Sequence, residues 1–202
     1  MRFVFQFLLA IGLLPAVQAQ TVAPDELVKS VTDEVIEIIK KDPDIQAGNP
    51  RKAAQLIQEK VLPHFNFTRM TALAMGPNWR KATPEQRQML VEEFKTLLVR
   101  TYSTALTNYR NQTIEYKPLR MKPEDTEVTV NALVRQPGAE SVTIDYRMAK
   151  AEDGWKVYDV VVGGVSLVTT YRETFNTEVR NAGIEGLIKS LSEKNRQLAG
   201  NA

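Results

Sequence analysis

Apolar residues in the first half of the chain recur every three or four positions, which is the period of an α-helix. The clearest start signal is Thr83-Pro84, since Gln86 completes a Thr-x-x-Gln capping box and proline suits the first helical position. The apolar stripe behind it continues to Tyr109, which predicts a helix of about 27 residues. Three shorter helices are predicted before it, with starts at Pro24, Asn49-Pro50 and Asn66.

At Asn111 the apolar period changes to that of a half-buried β-strand, in which every second residue is apolar. Alternating segments fall near residues 114–116, 128–134, 142–148 and 155–162, with turn-forming loops between the last three. They predict a four-stranded antiparallel meander with one apolar face. Helices, then a meander, then helices is an α+β order. A twisted sheet of this kind is curved, so helices can pack across its concave side.

A glycine pair, Gly163-Gly164, follows the last predicted strand and precedes an apolar segment that we interpret as a helix starting at Val165. The same order of strand, glycine and helix occurs at phosphate-binding loops and nucleophile elbows, but their reactive residues are missing here. Ser166 is better interpreted as a helix cap, because no glycine follows it as in a nucleophile elbow. Gly183 is predicted to interrupt the helical pattern that follows.

The chain begins with the features of a secretory leader. Arg2 precedes a mostly apolar segment over residues 3–17, and Val17-Gln18-Ala19 places small residues where a signal peptidase requires them. The apolar segment has about 15 residues, whereas a membrane-spanning helix needs about 20. We therefore predict a cleaved signal peptide over residues 1–19 and a single domain over residues 20–202.

Composition narrows the possible function classes. Without the leader, which contains Arg2 and no acidic residue, the chain has 25 basic and 24 acidic residues and a net charge of +1. This balance gives no strongly basic face, so no nucleic-acid partner is predicted. The absence of cysteine excludes disulfides and thiolate metal sites. An exported chain without cysteine is consistent with the periplasm of a Gram-negative bacterium.

Residues suited to catalysis are scarce. The single histidine, His64, has no serine, cysteine or second histidine beside it, and no metal site is predicted. Asp159 shares its predicted strand face with Trp155 and Val157, which should bury it and require a partner for its charge. A structural ion pair with an arginine or lysine is one interpretation. The alternative is an isomerase- or dehydratase-type enzyme in this α+β fold, with Asp159 acting beside a tyrosine such as Tyr146.

Two segments together resemble the MlaC, or toluene-tolerance auxiliary component, family. They are PNWRKATPEQRQMLVEEFKTLLVRTYSTALTNY at 77–109 and DGWKVYDVVVGGVSLVTTYRETF at 153–175, and the resemblance extends in order over nearly the whole chain. It implies a cone-shaped fold like that of nuclear transport factor two, with a deep apolar pocket between the sheet and the helices. The pocket would hold the acyl chains of a glycerophospholipid and leave the head group at its mouth. No cofactor, metal or catalysed reaction is implied.

From this resemblance we expect a monomeric periplasmic carrier that shuttles glycerophospholipids between membrane complexes and maintains the lipid asymmetry of the outer membrane. The implied partners are an outer-membrane lipoprotein–porin complex and the substrate-binding subunit of an inner-membrane ABC transporter. An adaptor with a filled core remains open, because periodicity does not distinguish a filled core from a hollow one. The lipid-binding residues that we predict, from apolar faces expected to meet, are Leu98, Tyr102, Leu106, Tyr109, Val130, Ile144, Tyr146, Val160, Val162, Val165, Val168 and Tyr171.

Overall fold

The computed structural model describes residues 22–200, so the predicted signal peptide over residues 1–19 lies outside the described residues. The elements of the described chain are α1 (Pro24–Lys41), α2 (Pro43–Gln46), α3 (Pro50–Leu56), α4 (Phe67–Met75), α5 (Pro84–Tyr102), α6 (Thr104–Thr107), β1 (Thr113–Tyr116), β2 (Glu127–Arg135), β3 (Val142–Ala151), β4 (Gly154–Val162), β5 (Val165–Ser166) and α7 (Leu167–Gly200). A π-helical turn at Ile57–Val61 and 3₁₀ turns at Leu62–His64 and Gly76–Lys81 connect α3, α4 and α5. Within residues 22–200, no helix combines the length and the apolar composition that crossing a membrane requires.

Prolines and capping side chains set the helix starts that the sequence predicts. α1, α3 and α5 each begin with proline, and the side chains of Asn49 and Asn66 accept hydrogen bonds from the first turns of α3 and α4. At α5, Thr83 and Gln86 form the complete capping box. These side chains satisfy backbone N–H groups that have no partner inside the helix, so the starts follow from local sequence.

The helix that begins at Pro84 is shorter than predicted. α5 ends at Tyr102 after 19 residues. The backbone then tightens, since Leu106 N donates to Ser103 O, three residues back rather than four. Serine and threonine have low helix propensity because their hydroxyls compete for nearby backbone groups, and four of them lie at positions 101, 103, 104 and 107. α6 is therefore a separate turn, and the prediction of one helix of about 27 residues is wrong.

The sheet is an antiparallel meander in the order β1-β2-β3-β4-β5. The predicted α+β fold class is confirmed, but the predicted count of four strands is wrong. The additional strand, β5, comes from the segment that we assigned to a helix, and Val165 pairs with Val162 of β4. Gly163 and Gly164 form the two-residue hairpin loop between β4 and β5. Their φ angles of 56° and 84° are positive, a backbone conformation that glycine adopts readily. α7 consequently begins at Leu167.

A bulge in β4 changes which side chains share a face. Val157 pairs with Met148 of β3, but Asp159 pairs with the adjacent Arg147, which leaves Tyr158 as an extra residue. Paired residues of antiparallel strands lie on the same face, and neighbours along a strand lie on opposite faces. Asp159 therefore lies on the face opposite Val157, and the prediction that the two share a face is wrong.

Three apolar clusters hold the elements together. In the helix cluster, which α4, α5 and α7 bury, the Phe94 ring packs edge-on against Tyr171 and Phe175 with centroid separations of 5.0 and 5.1 Å. In the sheet cluster, α1 packs on the apolar face of the sheet around Val28 and Val130. The third cluster joins α1 to α2, α3 and α6. α1 is thus the element that closes the apolar face of the sheet.

α7 is a long helix with one interruption. Gly183, with φ of 72° and ψ of −177°, lies outside helical geometry, as the sequence predicts. Glycine accepts this backbone conformation readily because it has no Cβ. Phe175 before the break and Leu187 after it are both buried in the helix cluster. The break therefore lets both halves of α7 pack on the same core.

Candidate ligand cavity

A cavity of about 200 Å³ lies between α1 and the apolar face of the sheet. α1 forms one wall, β3 and β4 form the opposite wall, and the turns before α4 and the α6 segment close the ends. The residues that line it are Leu27, Val28, Val31, Thr32, Val35, Val61, His64, Phe65, Leu106, Tyr146, Met148 and Val157. Nine of these side chains are purely hydrocarbon or thioether, so the cavity is suited to an apolar ligand.

The α1 wall follows from helical spacing. Leu27, Val31 and Val35 are separated by four residues each, so they lie along one stripe of the helix. Charged residues occupy other positions around α1, including Glu34, which forms an ion pair with Lys60 at 2.6 Å. That ion pair connects α1 to the π-helical turn. The apolar stripe therefore faces the cavity while polar groups hold α1 at its margin.

The opposite wall follows from strand alternation and pairing. Tyr146 and Met148 are two residues apart in β3, so they point to the same face, and Met148 pairs with Val157 of β4. The segment before α4 is attached to this wall, because Asn66 N donates to Val157 O at 2.8 Å and Phe65 forms a parallel bridge to the same residue. Phe65 therefore reaches the cavity from a loop.

Three residues bring polar groups to the cavity. Thr32 Oγ1 donates to Val28 O at 2.7 Å, so its proton is used within α1. Burial, together with the nearby Lys156, lowers the pKa of His64, which favours the neutral imidazole. Burial raises the pKa of Tyr146, and Tyr116 adds to that rise, so this phenol stays protonated. The cavity thus carries no fixed charge near neutral pH.

The predicted lipid-binding residues do not share one space. Leu106 and Tyr146 line the cavity. The other ten lie elsewhere: Leu98, Val168 and Tyr171 are in or against the helix cluster; Val130 and Val160 are in or against the sheet cluster; Tyr109 packs on the third cluster; Ile144 is half-buried; Tyr102, Val162 and Val165 are exposed. The roles of these ten residues in lipid binding stay predictions.

Sequence reasoning missed the residues that α1 and the turns before α4 contribute. The α1 stripe is visible as a helical pattern, but the pattern does not say which surface it covers. Val61, His64 and Phe65 belong to short turns without periodicity, and their placement depends on the long-range contact with Val157. The sequence of this proline-containing turn does not indicate that it contacts the sheet. These wall residues are defined only by tertiary structure.

Asp159 forms the structural ion pair that the sequence suggested. Its side chain is 3 % exposed and accepts from Arg147 Nη1 at 3.1 Å and from Ser166 Oγ at 2.7 Å. It also accepts from the backbone N–H of Val168 at 3.3 Å, in the first turn of α7. Tyr146 lies on the opposite face of the sheet, because it is the strand neighbour of Arg147. The structure therefore does not bring Asp159 and Tyr146 together, the pair that the enzyme alternative named.

No metal centre is evident in the part of the chain that the structure describes. Residues 22–200 contain no group of three or more His, Cys, Asp or Glu side chains arranged to hold an ion. Asp145, the acidic residue of β3, accepts from Asn131 Nδ2 at 2.7 Å. The cavity can therefore enclose an apolar group, and the polar groups that its walls supply are uncharged.

Comparison with known proteins places these observations in a family. The chain matches the family model described as MlaC protein over residues 29–193. The intermembrane phospholipid transport system binding protein MlaC of Haemophilus influenzae is 21% identical over 197 residues, which cover 96% of this chain and 92% of that protein. The toluene tolerance protein ttg2D of Pseudomonas putida is 28% identical over 177 residues, which cover 87% of this chain and 81% of that protein.

A solved structure is similar over most of the fold. The phospholipid-binding protein of Ralstonia solanacearum, determined in complex with a phospholipid, is 45% identical and superposes with a TM-score of 0.79. The match covers 86% of this chain and 97% of that one. The family match and this similarity agree with the motifs at 77–109 and 153–175. The chain therefore belongs to the MlaC family.

Proposed function

We propose that this protein is a periplasmic phospholipid carrier whose cavity between α1 and the sheet receives acyl chains. The observation that carries the proposal is an uncharged, largely hydrocarbon cavity closed by an amphipathic helix. Membership of the MlaC family supports it, as does the 45% identical relative that was solved with a phospholipid. A signal peptide over residues 1–19 would deliver the chain to the periplasm.

The energetics favour a carrier that both loads and unloads. Two acyl chains have roughly 30 methylenes, and removing them from water is worth about 24 kcal/mol. The competing environment is a bilayer, which is equally apolar, so the net free energy of transfer is a small difference. Contacts to hydrocarbon require complementary shape and aliphatic walls rather than charged groups. A cavity without fixed charge fits this role.

A complete diacyl lipid requires more room than the cavity offers as it stands. Its volume of about 200 Å³ is below the roughly 300–1,000 Å³ of typical small-molecule sites. The apolar face continues past Tyr146 to Ile144 and Val162, and Val162 and Val165 are 38 % and 59 % exposed. We infer that α1 and the sheet separate on loading, and that acyl chains extend along this face. The cone shape and the pocket walls that the family resemblance implies belong to that loaded form.

The wider role in the cell follows from the family resemblance. We propose that the carrier is a monomer that exchanges glycerophospholipid with an outer-membrane lipoprotein–porin complex and with the substrate-binding subunit of an inner-membrane ABC transporter. This exchange would maintain the lipid asymmetry of the outer membrane. The bound phospholipid is cargo, and no cofactor or catalysed reaction is part of the proposal.

Lipid extraction tests the proposal directly. The protein is purified from a Gram-negative periplasm without detergent and extracted with organic solvent, and phosphorus is quantified for each chain. We expect about one phospholipid per chain, since the acyl chains of one lipid already require more than the volume of the cavity as it stands. A folded protein that carries no lipid, and takes none up from phospholipid vesicles, would contradict it. A periplasmic protein of similar size and charge, purified in parallel, controls for adventitious lipid.

A further inference from the structure

The hydroxyl of Tyr116 is buried without a hydrogen-bond partner. Among the side chains that the structure describes, two buried polar atoms lack one, Tyr116 Oη and Asn195 Oδ1. Asn195 is a residue of α7 whose side-chain amide donates to Glu93 of α5, so it is remote from the cavity. Buried hydroxyls in proteins nearly always have a partner, because leaving one unpaired is unfavourable. The Tyr116 hydroxyl is therefore an unexplained donor.

The register places Tyr116 on the cavity side of the sheet. Tyr116 of β1 pairs with Ala132 of β2, and two residues along β2 Val130 pairs with Tyr146 of β3. Residues two apart share a face, as do paired residues, so both tyrosines lie on the same face. Tyr146 lines the cavity itself. The two phenols therefore flank β2 at the wall opposite α1.

Thr32 of α1 does not satisfy the two phenols. The Thr32 hydroxyl lies near enough to Tyr116 to offset part of the rise that burial causes in the Tyr116 pKa, but outside hydrogen-bond geometry. Its own proton is donated to Val28 O. Tyr146 makes no hydrogen bond with any described residue in the structure, and burial raises its pKa as well. Both phenols consequently retain an O–H group near neutral pH.

We propose that the hydroxyls of Tyr116 and Tyr146 donate hydrogen bonds to the ester carbonyl oxygens of a bound glycerophospholipid. This inference rests on the proposed function. The ester carbonyl is an uncharged acceptor attached directly to the acyl chain, so it enters an apolar cavity at lower cost than a phosphate. None of the described residues that line the cavity is lysine or arginine, so the phosphate has no ionic partner there. In a bilayer, water donates hydrogen bonds to the ester carbonyls. A bound lipid loses this water, so hydrogen-bond donors inside the cavity must take its place.

Ether lipids provide the test, because they lack the carbonyl oxygen but keep the chains and head group. Binding of a diester phosphatidylethanolamine and its diether analogue is compared by competition against a fluorescent phospholipid. One neutral hydrogen bond corresponds to about a fivefold difference in affinity. We expect wild-type protein to prefer the diester by about fivefold or more. Tyr116→Phe and Tyr146→Phe should each reduce the preference, and the double variant should abolish it. Tyr158→Phe, whose hydroxyl bonds Glu127 on the other face, should leave it unchanged.

The outcomes separate this inference from the proposed function. Equal binding of diester and diether by wild-type protein would overturn the carbonyl contact and leave the carrier function intact. Binding of neither lipid would overturn the carrier function. Thermal unfolding of lipid-free protein adds a second check, since Tyr116→Phe removes a hydroxyl without a partner and should not lower Tm. A lowered Tm would show that the hydroxyl has a partner inside the protein and would also overturn the inference.

Discussion

Asp159 shows how a single residue can join two elements. It is a buried carboxylate in β4, and it accepts hydrogen bonds from the Ser166 hydroxyl and from the first turn of α7. Arg147 neutralises it from a more exposed position, with 46 % of its side chain accessible. The carboxylate therefore fixes the direction in which the chain leaves the sheet. Its role is structural, which agrees with its position on the face away from the cavity.

Removing the Asp159 carboxylate should destabilise the fold strongly. Asp159→Ala leaves the Ser166 hydroxyl and the Val168 N–H without their acceptor, and we expect a loss of about 3 kcal/mol in the free energy of unfolding. Glu115→Ala serves as the control. It should cost at most about 1 kcal/mol, because the ion pair of Glu115 with Arg135 is exposed to water on both sides. Urea denaturation measures both, and equal losses in the two variants would contradict this account.

His64 should make stability depend on pH. Its pKa is lowered in the folded protein by burial and by Lys156, whereas an unfolded histidine has a pKa of about 6.5. As pH falls below about 6.5, the unfolded chain takes up this proton before the folded one does, so the free energy of unfolding decreases. The contribution is fully present above that pH. Urea midpoints measured above and below about pH 6.5 should differ less in His64→Gln than in wild type. The same difference in both proteins would show that His64 does not cause the pH dependence.

At the scale of elements, the β4–β5 hairpin depends on two glycines with positive φ. A Cβ added at either position would contact nothing within 4 Å, so a substitution is limited by backbone conformation rather than by space. Asparagine tolerates the left-handed region better than alanine, and it is favoured at the first position of such hairpin loops. The hairpin therefore offers a pair of variants that differ in backbone preference.

Gly163→Ala should destabilise the protein by about 1 kcal/mol, because alanine is strained at this positive φ. Gly163→Asn should cost clearly less. The measurement is the urea midpoint of each variant relative to wild type, with the far-UV spectrum as a check on folding. Equal midpoints for alanine and asparagine would show that the loop does not keep its left-handed conformation.

Elements with local signals could be predicted, whereas features that depend on pairing could not. Thr83, Pro84 and Gln86 determine the start of α5 through contacts within four residues, and the sequence predicts that start. The bulge at Tyr158 and the pairing of Val165 with β4 depend on the neighbouring strand, so strict alternation predicts the wrong faces. The cavity is harder still. Its α1 wall is visible as a stripe, but only packing shows that this stripe covers the sheet.

At the scale of the whole molecule, the apolar residues divide between a filled core and a hollow space. The helix cluster is closely packed, with Phe94 and Phe175 almost fully buried. The space under α1 keeps a volume of about 200 Å³. We therefore propose that stability and ligand binding depend on different groups of elements. Substitutions of equal size in the two regions should separate these properties.

Tryptophan at two positions tests this division. Leu106→Trp enlarges a cavity-lining side chain, so we expect lipid per chain to fall several-fold while the fold persists. Leu187→Trp places the same ring at a position that is 1 % exposed in the helix cluster, where overpacking costs about 1–3 kcal/mol or more. That variant should lose stability but retain lipid when folded. Extracted phospholipid and Tm are measured for both variants. If lipid is lost in the helix-cluster variant and kept in Leu106→Trp, the ligand cavity has been placed in the wrong part of the fold.

The bulge at Tyr158 also affects how well β4 should tolerate the deletion of single residues. Losing one residue from an interior strand normally turns every later side chain to the wrong face. In β4 the later side chains are already displaced by one residue, so deleting Tyr158 would leave Val157 and Asp159 on their present faces in a regular strand. Deleting Val160 would instead turn Val161 from its present face. A scan of single deletions through β4 should therefore find its most tolerated position in the middle of the strand rather than at its ends.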